Sequence, residues 1–188
     1  MKNIAIFASG SGTNAENIIR YFAGSGRVRV SLLLSNSPKA YALTRAEQLG
    51  VPTVVFDREE FGSGKVANIL EQNKVDYLVL AGFLWLVPAG LIAEYRGRIV
   101  NIHPALLPRH GGKGMYGMRV HEAVVAAGDR ESGITIHHVN EVYDSGDIIA
   151  QYRVAVDPAD TPDDVARKVH ELECRYFPAV IEQELAKL

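Results

Sequence analysis

The sequence predicts a doubly wound α/β fold, a variant of the Rossmann arrangement with a mainly parallel sheet and helices on both of its faces. Short apolar runs alternate with amphipathic segments through the first hundred residues, the strand candidates are apolar at successive positions, and a glycine-rich turn follows the first of them. Strands with two apolar faces belong inside a sheet that is covered on both sides. Alternation of strand and helix then gives parallel βαβ units.

The elements follow in chain order. An apolar run over 4–8 precedes helical periodicity over 15–22, 28–35 precedes 40–49, and 53–56 precedes 66–73. The runs VSLLLS and DYLVLAG carry the unbroken apolar character of buried strands. After a strand at 77–80, a helix is expected over 88–95, with Pro88 in its first turn where a missing N–H is harmless. The next strand ends at Ile99, Val100 and Asn101. Periodicity then stops: residues 104–119, PALLPRHGGKGMYGMR, hold two prolines and four glycines and read as a long loop. Long loops inside compact domains are usually functional. A helix over 120–127 and strands over 133–139 and 148–156 follow, and Thr161 with Asp164 three residues on marks the start of a last helix. With no linker, repeat or low-complexity tract, residues 1–188 are expected to form one domain.

Composition narrows the function. The chain has 188 residues, 47% hydrophobic and 22% charged, with a formal net charge of −2. That is ordinary globular composition, and it lacks the basic balance of nucleic-acid binders. One cysteine, Cys174, leaves no internal disulfide and fits a reducing compartment. The first apolar run is too short for a signal-peptide core, and no stretch approaches the roughly 18 apolar residues of a membrane span. The expectation is a cytoplasmic protein that meets neither nucleic acid nor membrane.

Four groups of residues could carry chemistry. First, the opening strand runs into Ser9-Gly10-Ser11-Gly12-Thr13-Asn14 and then a helix, which aims free backbone N–H groups and the positive end of a helix dipole at one point. A phosphate belongs there, with Thr13 and Asn14 donating from side chains or capping the helix; a plain turn would need fewer glycines and hydroxyls. The Gly-Lys-Ser/Thr ending of a nucleotide-hydrolysing loop is missing, as is the third glycine of G-x-G-x-x-G. No acidic residue closes the second strand to bind a dinucleotide ribose.

Second, Asn101 and His103 stand two apart on an extended segment and so face one side, at the sheet edge where ligands bind. An amide donor beside an imidazole suits stabilising a carbonyl oxygen and moving a proton. A lone histidine is as readily a structural residue. Third, Asp144 lies in a turn-rich acidic connection, EVYDSGD. It could orient a histidine and raise its pKa, or be a solvated turn acid, and Asp147 is a rival. Fourth, adjacent His137 and His138 on a strand point to opposite faces, so one is expected packed and one at the surface. His110, His121 and His170 lack metal-ligand spacing, and no metal is expected.

In order along the chain, strand-GSGTN-helix, AGFLWLVP, NIHPALLP, the DSGDI turn and the ELECRYFP tail resemble the phosphoribosylglycinamide formyltransferases, a folate-dependent family of purine synthesis. The resemblance spans nearly the whole chain. It implies Asn101, His103 and Asp144 as catalytic residues, Gly12, Thr13 and Asn14 at the ribose phosphate, and Glu173 at the substrate amine, with His170 and Glu171 as neighbours. Leu84, Trp85, Leu86 and Val87 would cradle the pterin of 10-formyltetrahydrofolate, the co-substrate, with Asn101 and residues 139–144, including Asn140, on the other side. Two departures stand out: Trp85 occupies a position where arginine is expected, and the RHGGKGMYGMR loop is long and glycine-rich. Lys65 could take the part of an arginine expected near Ser63. By this resemblance residues 1–100 hold the phosphate and 101–188 hold the folate and the catalytic group.

The implied reaction is attack of the amine of 5-phosphoribosylglycinamide on the formyl carbon, through a tetrahedral intermediate met by Asn101 and a protonated His103 aligned by Asp144. The partners would be small molecules, the protein a monomer or weak homodimer. A formyltransferase acting on transfer RNA should carry an extra C-terminal domain and a formyltetrahydrofolate hydrolase an N-terminal one, and 188 residues leave room for neither. A non-enzymatic phosphosugar-binding module would keep GSGTN but have no need of the three catalytic candidates together.

Overall fold

The computed structural model describes residues 1–188. Seven strands form one sheet: β1 (Lys2–Phe7), β2 (Val28–Ser35), β3 (Thr53–Val55), β4 (Tyr77–Leu80), β5 (Ile99–His103), β6 (Glu131–His138) and β7 (Ile148–Ala155). The helices are α1 (Thr13–Phe22), α2 (Tyr41–Gln48), α3 (Arg58–Gly62), α4 (Lys65–Gln72), α5 (Ala89–Glu94), α6 (Met118–Ala126) and α7 (Pro162–Leu185). In space the strands run β3-β2-β1-β4-β5-β6-β7. β1 to β5 are mutually parallel, and β6 and β7 add antiparallel pairs.

Successive residues of the inner strands enter opposite cores, which is why their sequences do not alternate. Ile4, Ile6, Tyr77 and Val79 pack with Ala15, Ile18 and Phe22 of α1 and Phe177 and Ile181 of α7. Ala5, Phe7, Leu78 and Leu80 pack with Phe61 of α3, Leu70 of α4 and Leu91 of α5. The doubly wound expectation is met, with the order reversing between β1 and β4. Ligands of such sheets bind at the carboxyl ends of the strands flanking that reversal.

Local signals set the helix ends. Thr161 accepts from the Asp164 N–H while the Asp164 side chain returns to the Thr161 N–H, the capping box expected of T-x-x-D. Asp57 and Glu60 form the same device at α3, an element absent from the sequence expectation because five residues show too little periodicity. Pro88 is the N-cap of α5, one residue before the first turn. No helix is long and apolar enough to cross a membrane.

Candidate active site

A cavity of about 730 Å³ opens where the segments following β1 and β4 meet β5, α6 and α7, a size suited to small-molecule ligands. At one end, Ser11, Thr13 and Asn14 line it. Gly12 is the N-cap of α1 with φ 75° and no side-chain cap, so the first-turn N–H groups are left free for a ligand. A Cβ at Gly12 would stand 2.4 Å from the Ala42 Cα, so only glycine lets the turn close against α2. Arg45 holds the turn from outside, bonding the Ser11 carbonyl at 2.9 Å and pairing with Glu16.

From α7, Glu173 accepts a 3.0 Å hydrogen bond from the Asn14 amide and lies 2.9 Å from His170 Nδ1. That hydrogen bond raises the His170 pKa above its usual range, against burial, which brings positive charge toward the free N–H groups. Asn14 Oδ1 is buried and unpaired. Thr13 and Asn14, expected at a phosphate, thus share this end with Glu173, expected at the acceptor's amine, and with its neighbour His170, whereas Glu171 does not line the cavity.

The other end gathers Asn101, His103, His137 and Asp144. Asn101 is the register partner of His137 across the β5–β6 ladder. Asp144 stands at φ 52°, and its Oδ2 accepts the Gly112 N–H at 2.9 Å, tying its turn to the glycine loop. Asp144 Oδ2 is 3.5 Å from His103 Nδ1, and its Oδ1 is 3.6 Å from His137 Nε2. These separations are ion-pair contacts, longer than good hydrogen bonds. Asp147, the rival acid, does not line the cavity, and its carbonyl accepts the His138 N–H.

Hydrogen-bond partners assign the protons. His103 Nε2 lies 2.7 Å from the His110 carbonyl, an acceptor only, so Nε2 carries the hydrogen and Nδ1 is the free ring nitrogen facing Asp144. His137 Nδ1 likewise donates to the His138 carbonyl at 2.8 Å, so Nε2 accepts from the Asn101 amide at 3.1 Å and fixes its orientation. Burial pulls the His103 pKa below its usual range, outweighing Asp144 and the His110 carbonyl. Near pH 7 this favours the neutral ring more than in a free histidine. Burial alone would raise the Asp144 carboxyl, but His137, His103 and the Gly112 N–H together hold it below the usual range.

Leu84, Trp85, Leu86, Val87, Val139 and Asn140 also line the cavity. The Leu84 N–H donates to Ser9 Oγ at 3.0 Å, so this wall is fastened to the glycine turn. Trp85 packs edge-on to Phe56 and Phe83, and the Arg58 guanidinium lies 4.4 Å from the centre of its ring. A cation thus stands over residue 85 although the residue is not itself basic. Lys65, expected at the folate, pairs at the start of α4 with Glu60, a carboxylate the α3 capping box holds beside it, and does not line the cavity. Lys113, Met115, Tyr116 and Arg119 of the glycine loop do line it.

Sequence reasoning missed His137. Its signal is the antiparallel register with Asn101, which cannot be read without knowing that β6 turns back along β5. His138 is the partly exposed member of the pair and reaches Glu184 at 3.4 Å. No cluster of three or more His, Cys, Asp or Glu side chains is arranged to hold a metal ion.

Residues 2–181 match the formyl transferase family. The chain is 39% identical to the chloroplastic phosphoribosylglycinamide formyltransferase of Arabidopsis thaliana, over 98% of its own length and 67% of that protein. It is 35% identical to the phosphoribosylglycinamide formyltransferase of Bacillus subtilis, over 98% of its own length and 95% of that protein. Its fold matches the crystal structure of phosphoribosylglycinamide formyltransferase from Bacillus halodurans with a TM-score of 0.88 and 38% identity, covering 99% of this chain and 96% of that one. In sequence and in fold alike, the chain belongs to the formyl transferase family.

Proposed function

We propose that this protein transfers the formyl group of 10-formyltetrahydrofolate to the amine of 5-phosphoribosylglycinamide, a step of purine biosynthesis. The observation that carries the reading is one cavity joining a helix start with free N–H groups to a buried imidazole and a part-buried amide and carboxylate. A phosphorylated amine then has its phosphate at residues 12–14 and its nitrogen near His103.

In the reaction, the amine lone pair bonds to the formyl carbon and the carbonyl electrons move to oxygen. Asn101 turns its remaining amide N–H toward that oxyanion. The attacking nitrogen becomes positively charged, and its proton passes to His103 Nδ1, the free ring nitrogen, where Asp144 stabilises the new imidazolium. Transfer of that proton to N10 of the folate lets the C–N10 bond break, leaving formylated acceptor and tetrahydrofolate. Glu173 accepts hydrogen bonds from the acceptor, and His170 adds positive charge near the phosphate. Leu84 to Val87 and residues 139–144 hold the pterin. Fixing both substrates makes the encounter effectively unimolecular, worth effective molarities of order 10⁵ M or more.

The 188 residues work as one domain: the pterin is held by residues 84–87 and 139–144 and the acceptor by residues 12–14 and Glu173, so the two substrates do not divide between halves. We place the protein in the cytoplasm, acting on small molecules without nucleic acid, as a monomer or weak homodimer. The test follows folate absorbance with 10-formyltetrahydrofolate in the presence and absence of 5-phosphoribosylglycinamide. Tetrahydrofolate released only with the acceptor is the expected result. Release without it would make the protein a hydrolase, and no release in either case would overturn the enzyme reading.

A further inference from the structure

Six histidines occur in the chain, and five have a partner: His103, His110, His137 and His170 through hydrogen bonds, His138 through its ion pair with Glu184. His121 has none. It is 6% exposed, sits on α6 and lines the cavity, and its Nδ1 is sealed in the protein without a hydrogen-bond partner. Nε2 likewise has no hydrogen-bond partner but is not sealed, so it is the ring nitrogen open to the cavity.

The surroundings say what ligand suits it. α6 packs along α7, the helix that carries His170 and Glu173 at the phosphate end. Burial keeps the His121 ring neutral, and the two ionisable groups that act on it are the Glu173 carboxylate and the His103 imidazole. His121 therefore lines the cavity within electrostatic reach of both Glu173 at one end and His103 at the other. In a phosphorylated glycosylamine that bridges those ends, the part lying there is the sugar ring. A neutral imidazole offers no charge to a phosphate, but it has the hydrogen-bonding capacity to suit a hydroxyl. Orphaned buried N–H groups are rarer than under-used acceptors, which puts the proton on Nε2 and makes His121 a donor.

We propose that His121 donates a hydrogen bond from Nε2 to a ribose hydroxyl of the acceptor and so selects ribose over deoxyribose. This rests on the formyl-transfer reading above. It assigns His121 to binding, with its effect on the acceptor KM and not on kcat, because a contact made equally in ground and transition states changes only KM.

The test measures kcat and KM for 5-phosphoribosylglycinamide and for its 2′-deoxy and 3′-deoxy counterparts, in the wild type and in His121→Phe. In the wild type, one of the two deoxy acceptors should show a KM about fivefold higher, the worth of one hydrogen bond. His121→Phe should raise the KM for the ribo acceptor by about the same factor, leave the KM for 10-formyltetrahydrofolate in place, and lose discrimination against that deoxy acceptor. Equal wild-type KM values for all three acceptors would overturn the proposal even if the variant did not fold, as would a folded His121→Phe that discriminates like the wild type. If the wild type transfers no formyl group to any of them, the proposed function fails instead.

Discussion

At the phosphate end of the cavity, residues 12–14 offer backbone N–H groups from one continuous stretch, whereas the reacting end collects side chains from β5, β6 and the turn after β6. The first arrangement is local: a strand, a glycine at φ 75° and a helix start suffice. The second depends on register, since Asn101 meets His137 only because β6 runs antiparallel to β5. Substitutions at the two ends should accordingly change different quantities. In the proposed reaction the backbone end grips a part of the acceptor that does not react, so losses there fall on KM. The reacting end holds groups that change charge or proton during the reaction, so losses there fall on kcat.

His103→Ala should have the largest effect, lowering kcat at least about a hundredfold, the lower end for removing a general acid or base. Steady-state turnover at saturating substrates measures it, and near-normal turnover of the folded variant would remove His103 from the reaction.

Asp144→Asn sharpens the comparison through pH. The proposed reaction needs neutral His103, so kcat/KM should fall as pH drops through the His103 pKa, which burial places below 6.5. Asp144 works against burial and holds that pKa up. Without its charge the acid limb should move to lower pH, while turnover falls roughly tenfold or more for lack of a counter-charge to the imidazolium. A limb that moves upward would contradict the proton assignment.

His137→Phe should have a smaller effect on the same quantity. It removes the acceptor that orients the Asn101 amide, a hydrogen bond worth about 1 kcal/mol, or about fivefold in kcat. The acceptor KM should stay in place, and a change in KM alone would assign His137 to binding.

What the sequence discloses follows the same division. The order of elements was legible because periodicity, capping residues and proline act locally, as Thr161 with Asp164 shows. The glycine turn was legible for the same reason. Asn101 and His103 could be paired because residues two apart on a strand share a face. The approach of Asp144 to His103 required family resemblance, since a residue 41 positions along the chain reaches it only through the β5–β6 pairing and a turn held by the Gly112 N–H. His137 and His121 were unreadable as site residues because their meaning lies in partners made, or left unmade, by tertiary packing. For Lys65, proximity along the chain to an expected arginine position says nothing of Glu60, with which it pairs outside the cavity. The lowered pKa of His103 needs a degree of burial that no local pattern encodes.

The most direct test of this division is a steady-state comparison of Asn14→Ala, His103→Ala and the double variant in one formyl-transfer assay. Asn14→Ala should raise the acceptor KM with little change in kcat, His103→Ala should lower kcat, and the double variant should show the KM of the first with the kcat of the second, as separate sites predict. A loss of kcat in Asn14→Ala as large as that in His103→Ala would contradict the account.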